Sequence, residues 1–590
     1  MKKAEESKEK AGVRGRTLVH GFSRTLGEAV PRRKLTDAET AARVARLGTT
    51  LHLCRRDDAA VVEALHERKV VDDVEALDKV RFFDEFFTFL KQRKVWPWLE
   101  ALDPQTRVRA SIGWAAMVGV YLMRIVLGVP SVPQTEGLIL TDPALMTLFE
   151  LAAFVQTGLT RRGLSRAHGL PEVRGAFSGE VMVDTLVQVS LVAVARTFNA
   201  VVTLLAAGGY FPRHVHAVAD CTDCEATPKF RMLGGGPVAH VTRHKRPDHR
   251  HNRHAPKVAT TVWGWKVWLL FCPLSGLPIA LYVDRINIDD RVWMLALVLQ
   301  GQANLGGRLQ TVSFDRGFWD GQALYGVAQR VPFFIPGKAD LEITQEARRA
   351  AREVYARHRH GRPVSDAVVA TRAVTVARGR GKRRREERQA LLVIGLPGLD
   401  CPTYAAAPPG SKVHAKTFVP GRLNAAVVMA DPPYPAANPD EPLVILTCAP
   451  LATPRDALVA YDRFDARGVI ENSGNKQAKR EWTLETPLEK SEAAVYVHVH
   501  FVFLLMGLLA AFRADQAADA RGEETGMARY RRAVERANRD RVLVRDGDRY
   551  AILWAWELAV LAGLRLRWHP AETAATIRTR YAGRGDGPAP

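Results

Sequence analysis

Three acidic residues, Asp220, Asp315 and Glu471, stand in contexts that suit metal-dependent chemistry on phosphate esters. Asp220 and Asp315 each directly follow a short, mostly apolar run, which predicts that each ends a β-strand. Glu471 lies four residues after Arg467, so on a helix the two side chains would share one face. Phosphodiester cleavage needs charge neutralised on the attacking and leaving oxygens, and Mg²⁺ ions held by carboxylates supply this. We therefore predict that these acids hold catalytic Mg²⁺, or Mn²⁺ in its place.

Three rival acids, Asp223, Asp320 and Glu481, lie close to the chosen ones. We prefer Asp220 over Asp223 because Asp220 directly ends the apolar run. Asp320 is expected to cap or open a helix. Glu481 stands among charged residues and has no arginine aligned with it.

The pattern around the acids predicts a scaffold that brings distant segments together. Residues 211–338 are predicted to form a strand, a hairpin, a helix, a strand, a helix and a strand. The predicted segments are 215–219, 258–271 with 277–283, 289–300, 309–314, 319–330 and 331–335. Such alternation builds a mixed sheet with helices packed on it, and ligands of open α/β sheets bind at strand ends.

Composition divides the whole chain into five regions of an α/β protein. We predict a basic N-terminal segment, a mainly helical region, the first part of the sheet domain, an insertion, and the second part of the sheet domain with C-terminal helices. These regions are residues 1–80, 81–210, 211–338, 339–440 and 441–590. In the last region, 443–447 is predicted to be a strand, and Thr453 followed by Pro454 is predicted to begin a helix.

The charge of the chain favours a polyanionic partner. There are 84 Lys and Arg residues against 63 Asp and Glu residues, a net charge of +21. Each phosphate that such a surface neutralises releases a condensed counterion, so we expect nucleic-acid binding rather than a merely solvated basic surface. Trp482, in a polar stretch, is a candidate for stacking on an unpaired base, whereas Trp263 and Trp265 are expected to pack in the core.

Cysteine and histidine usage offers a second metal hypothesis, which we consider weaker. Six cysteines in 590 residues are not a disulfide framework and fit a reducing compartment. Cys221 and Cys224 form a CxxC motif beside a His-rich stretch, but a structural zinc site needs four suitably spaced ligands and no second CxxC follows. A basic, DNA-facing loop between the first two strands explains the stretch better.

Two features bear on membranes and targeting. The first residues are charged and lack an apolar core, so no signal peptide is visible. Residues 493–512 are apolar over about the length of a membrane span, but they contain His498 and His500. We expect a buried core helix there and no membrane partner; a membrane anchor is the alternative.

The ordered acids and their surroundings resemble DDE transposases of bacterial insertion sequences. The resemblance is to the branch with a β-rich insertion between the second Asp and the Glu, in which the Glu lies in a Tyr-x2-Arg-x3-Glu-x6-Lys signature. Here Phe464, Arg467 and Glu471 take the first three places. Ala478 takes the Lys place, with Lys479 one residue later and Lys476 two before.

Three further sequence segments within residues 211–512 support the resemblance. They look like the family's second strand, its second-Asp motif and the strand before its Glu helix. These are residues 263–270 (WGWKVWLL), 315–319 (DRGFW) and 443–447 (LVILT). The first 210 residues match only loosely.

The resemblance implies an RNase-H-like mixed-sheet catalytic core with a β-rich insertion, behind a helical N-terminal region that recognises DNA ends. It implies Mg²⁺-dependent strand cleavage at element ends and transfer of the freed 3′-hydroxyl, with no covalent enzyme intermediate. Asp220, Asp315 and Glu471 would be the catalytic and metal-holding residues. The residues expected to contact DNA are Arg467, Lys476, Lys479, Trp482, Arg383, Arg384 and Arg385.

The partner would be double-stranded DNA, at the element ends and at the target. Paired ends must be cut together, so a homodimer on DNA is expected, in the bacterial cytoplasm at the nucleoid. Two alternatives stay open at this stage. One is a catalytically inactive, domesticated transposase that only binds DNA, and the other is a structure-specific nuclease without strand transfer.

Overall fold

The computed structural model describes most of the chain in a series of ranges. They are residues 55–77, 80–106, 112–152, 155, 175–226, 232–233, 236–245, 258–378, 385–406, 421–431, 442–487, 491–516, 541–564 and 573–582. The predicted helix start near Thr36 lies outside them.

The α-helices of these ranges are numbered in chain order. They are α1 (Asp58–Arg68), α2 (Arg81–Gln92), α3 (Trp96–Glu100), α4 (Trp114–Leu127), α5 (Val132–Thr135), α6 (Pro143–Met146), α7 (Gly179–Leu186), α8 (Leu191–Ala207), α9 (Met294–Leu305), α10 (Gly321–Ala328), α11 (Glu342–Arg359), α12 (Pro454–Asp465), α13 (Gln477–Glu481), α14 (Glu492–Gln516), α15 (Ala555–Leu561) and α16 (Ala574–Ala582). Two π-helical segments, Glu136–Leu140 and Ile470–Lys476, and two 3₁₀ turns, Thr147–Phe149 and Arg316–Phe318, adjoin them.

The strands are numbered in the same way. They are β1 (Arg55–Arg56), β2 (Asp73–Leu77), β3 (Val215–Glu225), β4 (Met232–Leu233), β5 (Gly236–Pro237), β6 (His240–Lys245), β7 (Val258–Cys272), β8 (Leu277–Arg285), β9 (Leu309–Phe314), β10 (Phe333–Pro336), β11 (Val368–Arg378), β12 (Arg385–Cys401), β13 (Gly421–Asp431), β14 (Leu443–Thr447), β15 (Arg541–Asp546) and β16 (Arg549–Trp554). The fold is mixed α/β, as predicted.

The chain forms two compact units. The first comprises Met1–Thr197, Glu481–Phe501 and Asp515–Pro590, and the second comprises Phe198–Arg480 and Val502–Ala514. The predicted regions divide the chain differently. In particular, the C-terminal part of 441–590 belongs with the N-terminal residues rather than with the sheet domain.

The second unit contains a ten-stranded mixed sheet. Its strands lie in the order β11-β12-β13-β14-β10-β9-β3-β7-β6, and β8 pairs with β7. β3, β7 and β8 form an antiparallel meander, while β9 runs parallel to β3 and β10 parallel to β9. The predicted order of strand, hairpin, helix, strand, helix and strand is confirmed.

Several predicted boundaries move for identifiable local reasons. β3 continues to Glu225 because residues beyond Ala219 still pair with β7. The helix expected at 289–300 begins only at Met294, because Asp289 accepts hydrogen bonds from the backbone and guanidinium of Arg291 and holds this stretch as a turn. α12 begins as predicted, with Thr453 as N-cap and Pro454 in the first turn.

The insertion extends the same sheet. After α11, strands β11, β12 and β13 pair antiparallel, and β13 joins β14 at the edge of the core strands. α12 packs on this part through Ala457 and Ala460, which contact the buried residues Val393 and Ile445. The described parts of residues 339–440 are therefore rich in β-strand, and they also contain the helix α11, which the sequence pattern did not reveal.

The first unit contains a small sheet built from both ends of the chain. Its order is β1-β16-β15-β2, with β1 parallel to β16 and the other pairs antiparallel. α1, α15 and α16 cover it with buried residues that include Val61, Leu558 and Ile577. The C-terminal part contains helices, as expected, and in addition the two strands β15 and β16, which the sequence pattern did not reveal. These strands pair with each other and with β2 and β1 from the other end of the chain.

Residues 81–207 are largely helical in the described parts, as predicted. α14 is long and apolar enough to cross a membrane, and two bent helix pairs would also qualify if each pair were a single span. Of the apolar window of α14, 89% is buried within the protein. Its two histidines are buried as well.

Candidate functional site

Asp220 and Asp315 occupy equivalent positions on neighbouring strands. β3 and β9 run parallel, and their last paired residues are Ala219 and Phe314. Asp220 and Asp315 each come one residue later. β9 ends before Asp315, whereas β3 continues past Asp220 to Glu225, so Asp220 lies within its strand rather than at its end. Because the two strands are parallel and paired up to these residues, residues distant in sequence are brought close together.

Glu471 reaches the same edge from a π-helical segment, Ile470–Lys476, that follows α12. Arg467 joins it to Asp315: the Nη1 atom of Arg467 lies 2.9 Å from Glu471 Oε1 and 3.2 Å from Asp315 Oδ1. Those two carboxylate oxygens therefore cannot be farther apart than the sum of these distances. Sharing one guanidinium reduces the repulsion between the two acids.

Both carboxylate oxygens of Asp220 accept hydrogen bonds. Oδ1 accepts from the backbone N–H of Cys221 at 2.8 Å, and Oδ2 accepts from the Asn475 side-chain amide at 2.9 Å. Burial raises the pKa of Asp220 to about 7, against the lowering effect of the Cys221 N–H. Asp315 and Glu471 raise this pKa further, and Arg467 lowers it. The three acids and the arginine therefore interact electrostatically.

Comparisons with known proteins add little to this geometry. No protein-family model matches the chain, and no curated protein matches it. One solved structure with a likeness is described as "Cryo-EM structure of piggyBac transposase synaptic complex with hairpin DNA (SNHP)". The match covers 79% of this chain and 80% of that one at 9% sequence identity and a TM-score of 0.30. At that TM-score the likeness establishes neither a common fold nor a common function.

The chemistry of the donor set fits a hard divalent cation. Asp220, Asp315 and Glu471 offer carboxylate oxygens, the ligands that Mg²⁺ prefers. Within the described ranges, no three His, Cys, Asp or Glu side chains are already arranged closely enough to hold a metal ion. The Arg467 guanidinium lies between two of the acids instead. A second fitting feature is Asn475 Oδ1, a buried oxygen beside Asp220 that has no hydrogen-bond partner among the described residues.

The remaining positions of the predicted signature differ in their contacts and exposure. The Phe464 ring lies 5.5 Å from the guanidinium carbon of Arg467, so an aromatic face supports the arginine from the position where the family has Tyr. Ala478, at the Lys place, is fully buried. Lys476 is exposed and Lys479 is half-buried. Of these three positions, Lys476 is therefore the most exposed.

Stacking on an unpaired base would require an exposed side chain, and Trp482 is buried. Its side chain is only 1% exposed, so it cannot stack on an unpaired base as placed, and the expectation is corrected. The polar residues around it in sequence suggested exposure, but Trp482 and Leu484 are both buried.

The basic run at 378–385 joins β11 to β12. Arg378 and Arg385 are the last paired residues of that hairpin. Arg383 and Arg384 lie outside the described residues, and Arg385 begins β12. Their predicted contact with DNA remains a prediction.

The rival acids have other partners. Asp320 accepts a hydrogen bond from the Ala323 backbone N–H and caps α10, as predicted. Asp223 forms an ion pair with Arg243 at 2.6 Å. Asp220, Asp315 and Glu471, by contrast, interact with one another and with Arg467.

The region between the first two long strands differs from the predicted loop. His240 and His244 lie in β6, which pairs with the first half of β7. His249, His251 and His254 lie outside the described residues. Cys221 and Cys224 both lie in β3, and side chains three apart on a strand point to opposite faces. They are therefore poorly placed to share one metal ion.

Sequence reasoning missed two neighbours of the acids. One is Asn475. The other is Asp290, whose carboxylate accepts a hydrogen bond from buried Lys266 at 2.7 Å. A Cβ at Gly317 would lie 2.9 Å from Asp290 Oδ2 and 3.9 Å from Asp315 Oδ2, so Asp290 is close to Asp315. Asp290 resembled an ordinary first-turn helix acid in the sequence, and no local signal distinguished it.

Proposed function

We propose that the chain is a DDE transposase that cleaves DNA strands at element ends and transfers the freed 3′-hydroxyl to a target phosphodiester. One observation carries the proposal: Asp220, Asp315 and Glu471 come from three distant segments and share one electrostatic environment centred on Arg467. A cluster of acids in which one, here Asp220, has a raised pKa is typical of functional sites.

The strand order supports an RNase-H-like core as part of this proposal. The meander β3-β7-β8, followed by the parallel strands β9 and β10 with helices between them, has the order of elements that the sequence pattern predicts. The β-rich insertion lies between Asp315 and Glu471 in the chain, also as the resemblance implies.

In the proposed reaction Mg²⁺ or Mn²⁺, when bound, neutralises charge on the attacking and leaving oxygens. Asp220, Asp315 and Glu471 would hold the ion, and Asp220 would have to be deprotonated to do so. Arg467, released from Asp315 and Glu471, would contact a DNA phosphate, for which its planar guanidinium is suited. Lys476 contacts phosphate nearby.

The proposed partner is double-stranded DNA, bound by a strongly basic protein. The net charge of +21 supports this part of the proposal. The helical residues 81–210 are proposed to recognise the element ends, and a homodimer to hold two ends together in the bacterial cytoplasm at the nucleoid.

The proposal is tested by nicking of a supercoiled plasmid that carries the gene with its native flanks, in Mg²⁺ and in EDTA. We expect nicking in Mg²⁺ alone, lost in Asp220→Asn, Asp315→Asn and Glu471→Gln with DNA binding retained. A matched control is Asp320→Asn, which keeps a good helix N-cap and should keep activity.

The outcomes separate the alternatives. DNA binding without nicking by the wild type would indicate the inactive, DNA-binding protein. Nicking without joining of pre-cut ends would indicate a nuclease. Full activity of any one of the three acid variants would remove that acid from the site.

A further inference from the structure

The side chain of Asn475 is buried and forms a hydrogen bond with Asp220. It lies four residues after Glu471, in the same π-helical segment. Its side-chain amide donates to Asp220 Oδ2 at 2.9 Å, and the residue is 6% exposed. This hydrogen bond links the segment that carries Glu471 to the strand that carries Asp220.

The bond leaves Asp220 little freedom to rotate. The Cys221 backbone N–H holds one carboxylate oxygen and Asn475 holds the other. Each oxygen keeps a further lone pair, because a carboxylate oxygen can accept more than one bond. The side chain is thus fixed in orientation while both oxygens can still act as ligands.

The other half of the Asn475 amide is the second observation. Its Oδ1 is buried and has no hydrogen-bond partner within the described part of the chain. A buried amide oxygen without a partner is unfavourable, and such groups in native proteins often belong to a functional site.

The π-helical conformation is a third observation. Single π-helical turns are rare and occur frequently at functional sites. Here the widened segment contains both Glu471 and Asn475, and both interact with Asp220. The distortion therefore coincides with the approach of this segment to β3.

We propose that Asn475 is a positioning residue of the metal site: it orients the Asp220 carboxylate for a divalent cation. The inference rests on the proposed function, because it assumes that Asp220 binds the ion. A purely structural role, in which the amide only ties the segment to the sheet, would change stability and leave metal affinity unaltered.

The test compares Mn²⁺ binding and nicking in wild type and Asn475→Leu. Leucine has nearly the same volume, lacks donor and acceptor, and leaves no space for a substituting water. We expect the Kd for Mn²⁺, measured by calorimetry without DNA, to rise about 10–100-fold, as on loss of other residues that orient metal ligands. The Mg²⁺ concentration for half-maximal nicking should rise in parallel.

Asn304→Leu is the matched control. Asn304 is also a buried asparagine of the second unit, 3% exposed, and it donates to Asn199 and to the Ile279 carbonyl. Its loss should lower the thermal midpoint but leave Mn²⁺ affinity unchanged. If Asn475→Leu does not fold, Asn475→Ala is measured instead and should change affinity in the same direction.

The two proposals fail in different ways. A wild type that binds Mn²⁺ and nicks DNA, with a foldable Asn475 variant of unchanged Kd, would overturn the role of Asn475 alone. A wild type that neither binds Mn²⁺ nor nicks DNA would overturn the proposed function and the role of Asn475 with it.

Discussion

Arg467 lies 2.9 Å from the Glu471 carboxylate, four residues further along the chain, and the same guanidinium nitrogen also reaches Asp315. A cation of the protein thus lies between two acids that we propose to hold a metal ion. The arginine offsets their charge in the metal-free protein and would be released when the ion binds. This exchange makes several consequences measurable.

Replacing Arg467 by Gln should increase the rise in thermal midpoint that Mn²⁺ produces. Without the guanidinium, Asp315 and Glu471 repel each other, so the metal-free variant should lose about 1 kcal/mol of stability, the upper range for partly exposed pairs. Added Mn²⁺ should raise its thermal midpoint more than that of the wild type, because no arginine competes with the ion. An equal shift in both proteins would contradict the exchange. Arg422→Gln, which breaks an exposed pair with Asp400, is the control.

Asp220 should make the metal-free protein less stable at high pH. Its pKa is about 7 in the folded protein against an ordinary 3.8, so the folded state binds the proton more tightly than the unfolded state. The stabilisation from this proton is greatest below pH 4 and is lost as the pH rises to about 7.

Asp220→Asn mimics the protonated acid, and Asn475 can turn its free Oδ1 toward the new amide. In EDTA the variant should therefore melt above the wild type at pH 8, with a difference that shrinks as the pH falls to 4. A difference that does not depend on pH would argue against a raised pKa.

Tyr121→Phe should destabilise the first unit. His498 Nε2 must donate to the Thr483 carbonyl at 2.7 Å, so its Nδ1 accepts from the Tyr121 hydroxyl at 2.8 Å. Burial lowers the pKa of His498 to about 3, which keeps the ring neutral and this tautomer in place. The variant leaves a buried nitrogen unpaired and should lose about 1–3 kcal/mol in urea unfolding. A loss of only a few tenths would show that water replaces the hydroxyl.

Gly264→Ala should disrupt the strand that supports Asp220. Gly264 has φ of +139°, a conformation that residues with a side chain rarely adopt, and it pairs with Glu225 of β3. A Cβ there would overlap the Cys224 carbonyl oxygen. We expect low soluble yield or a large fall in thermal midpoint. Gly276→Ala, at a turn where a Cβ meets open space but φ is +71°, should cost much less.

Local patterns were sufficient for much of the second unit. The meander, the parallel strand β9 and the capped start of α12 each follow from apolar runs, turn residues and an N-cap within a few positions. The candidate acids could be found in the same way, since two of them directly follow apolar runs and the third follows an arginine by four residues.

The sequence by itself therefore determined which residues offer carboxylates and roughly which elements carry them. Only the tertiary structure decided that Asp220 and Asp315 follow the last paired residues of the parallel strands β3 and β9, that Arg467 lies between two acids, and that Asn475 and Asp290 lie near them. It also decided that Trp482 is buried and that the two chain ends share a sheet. These features depend on pairing and packing between segments far apart in the chain, and no short-range pattern encodes such contacts.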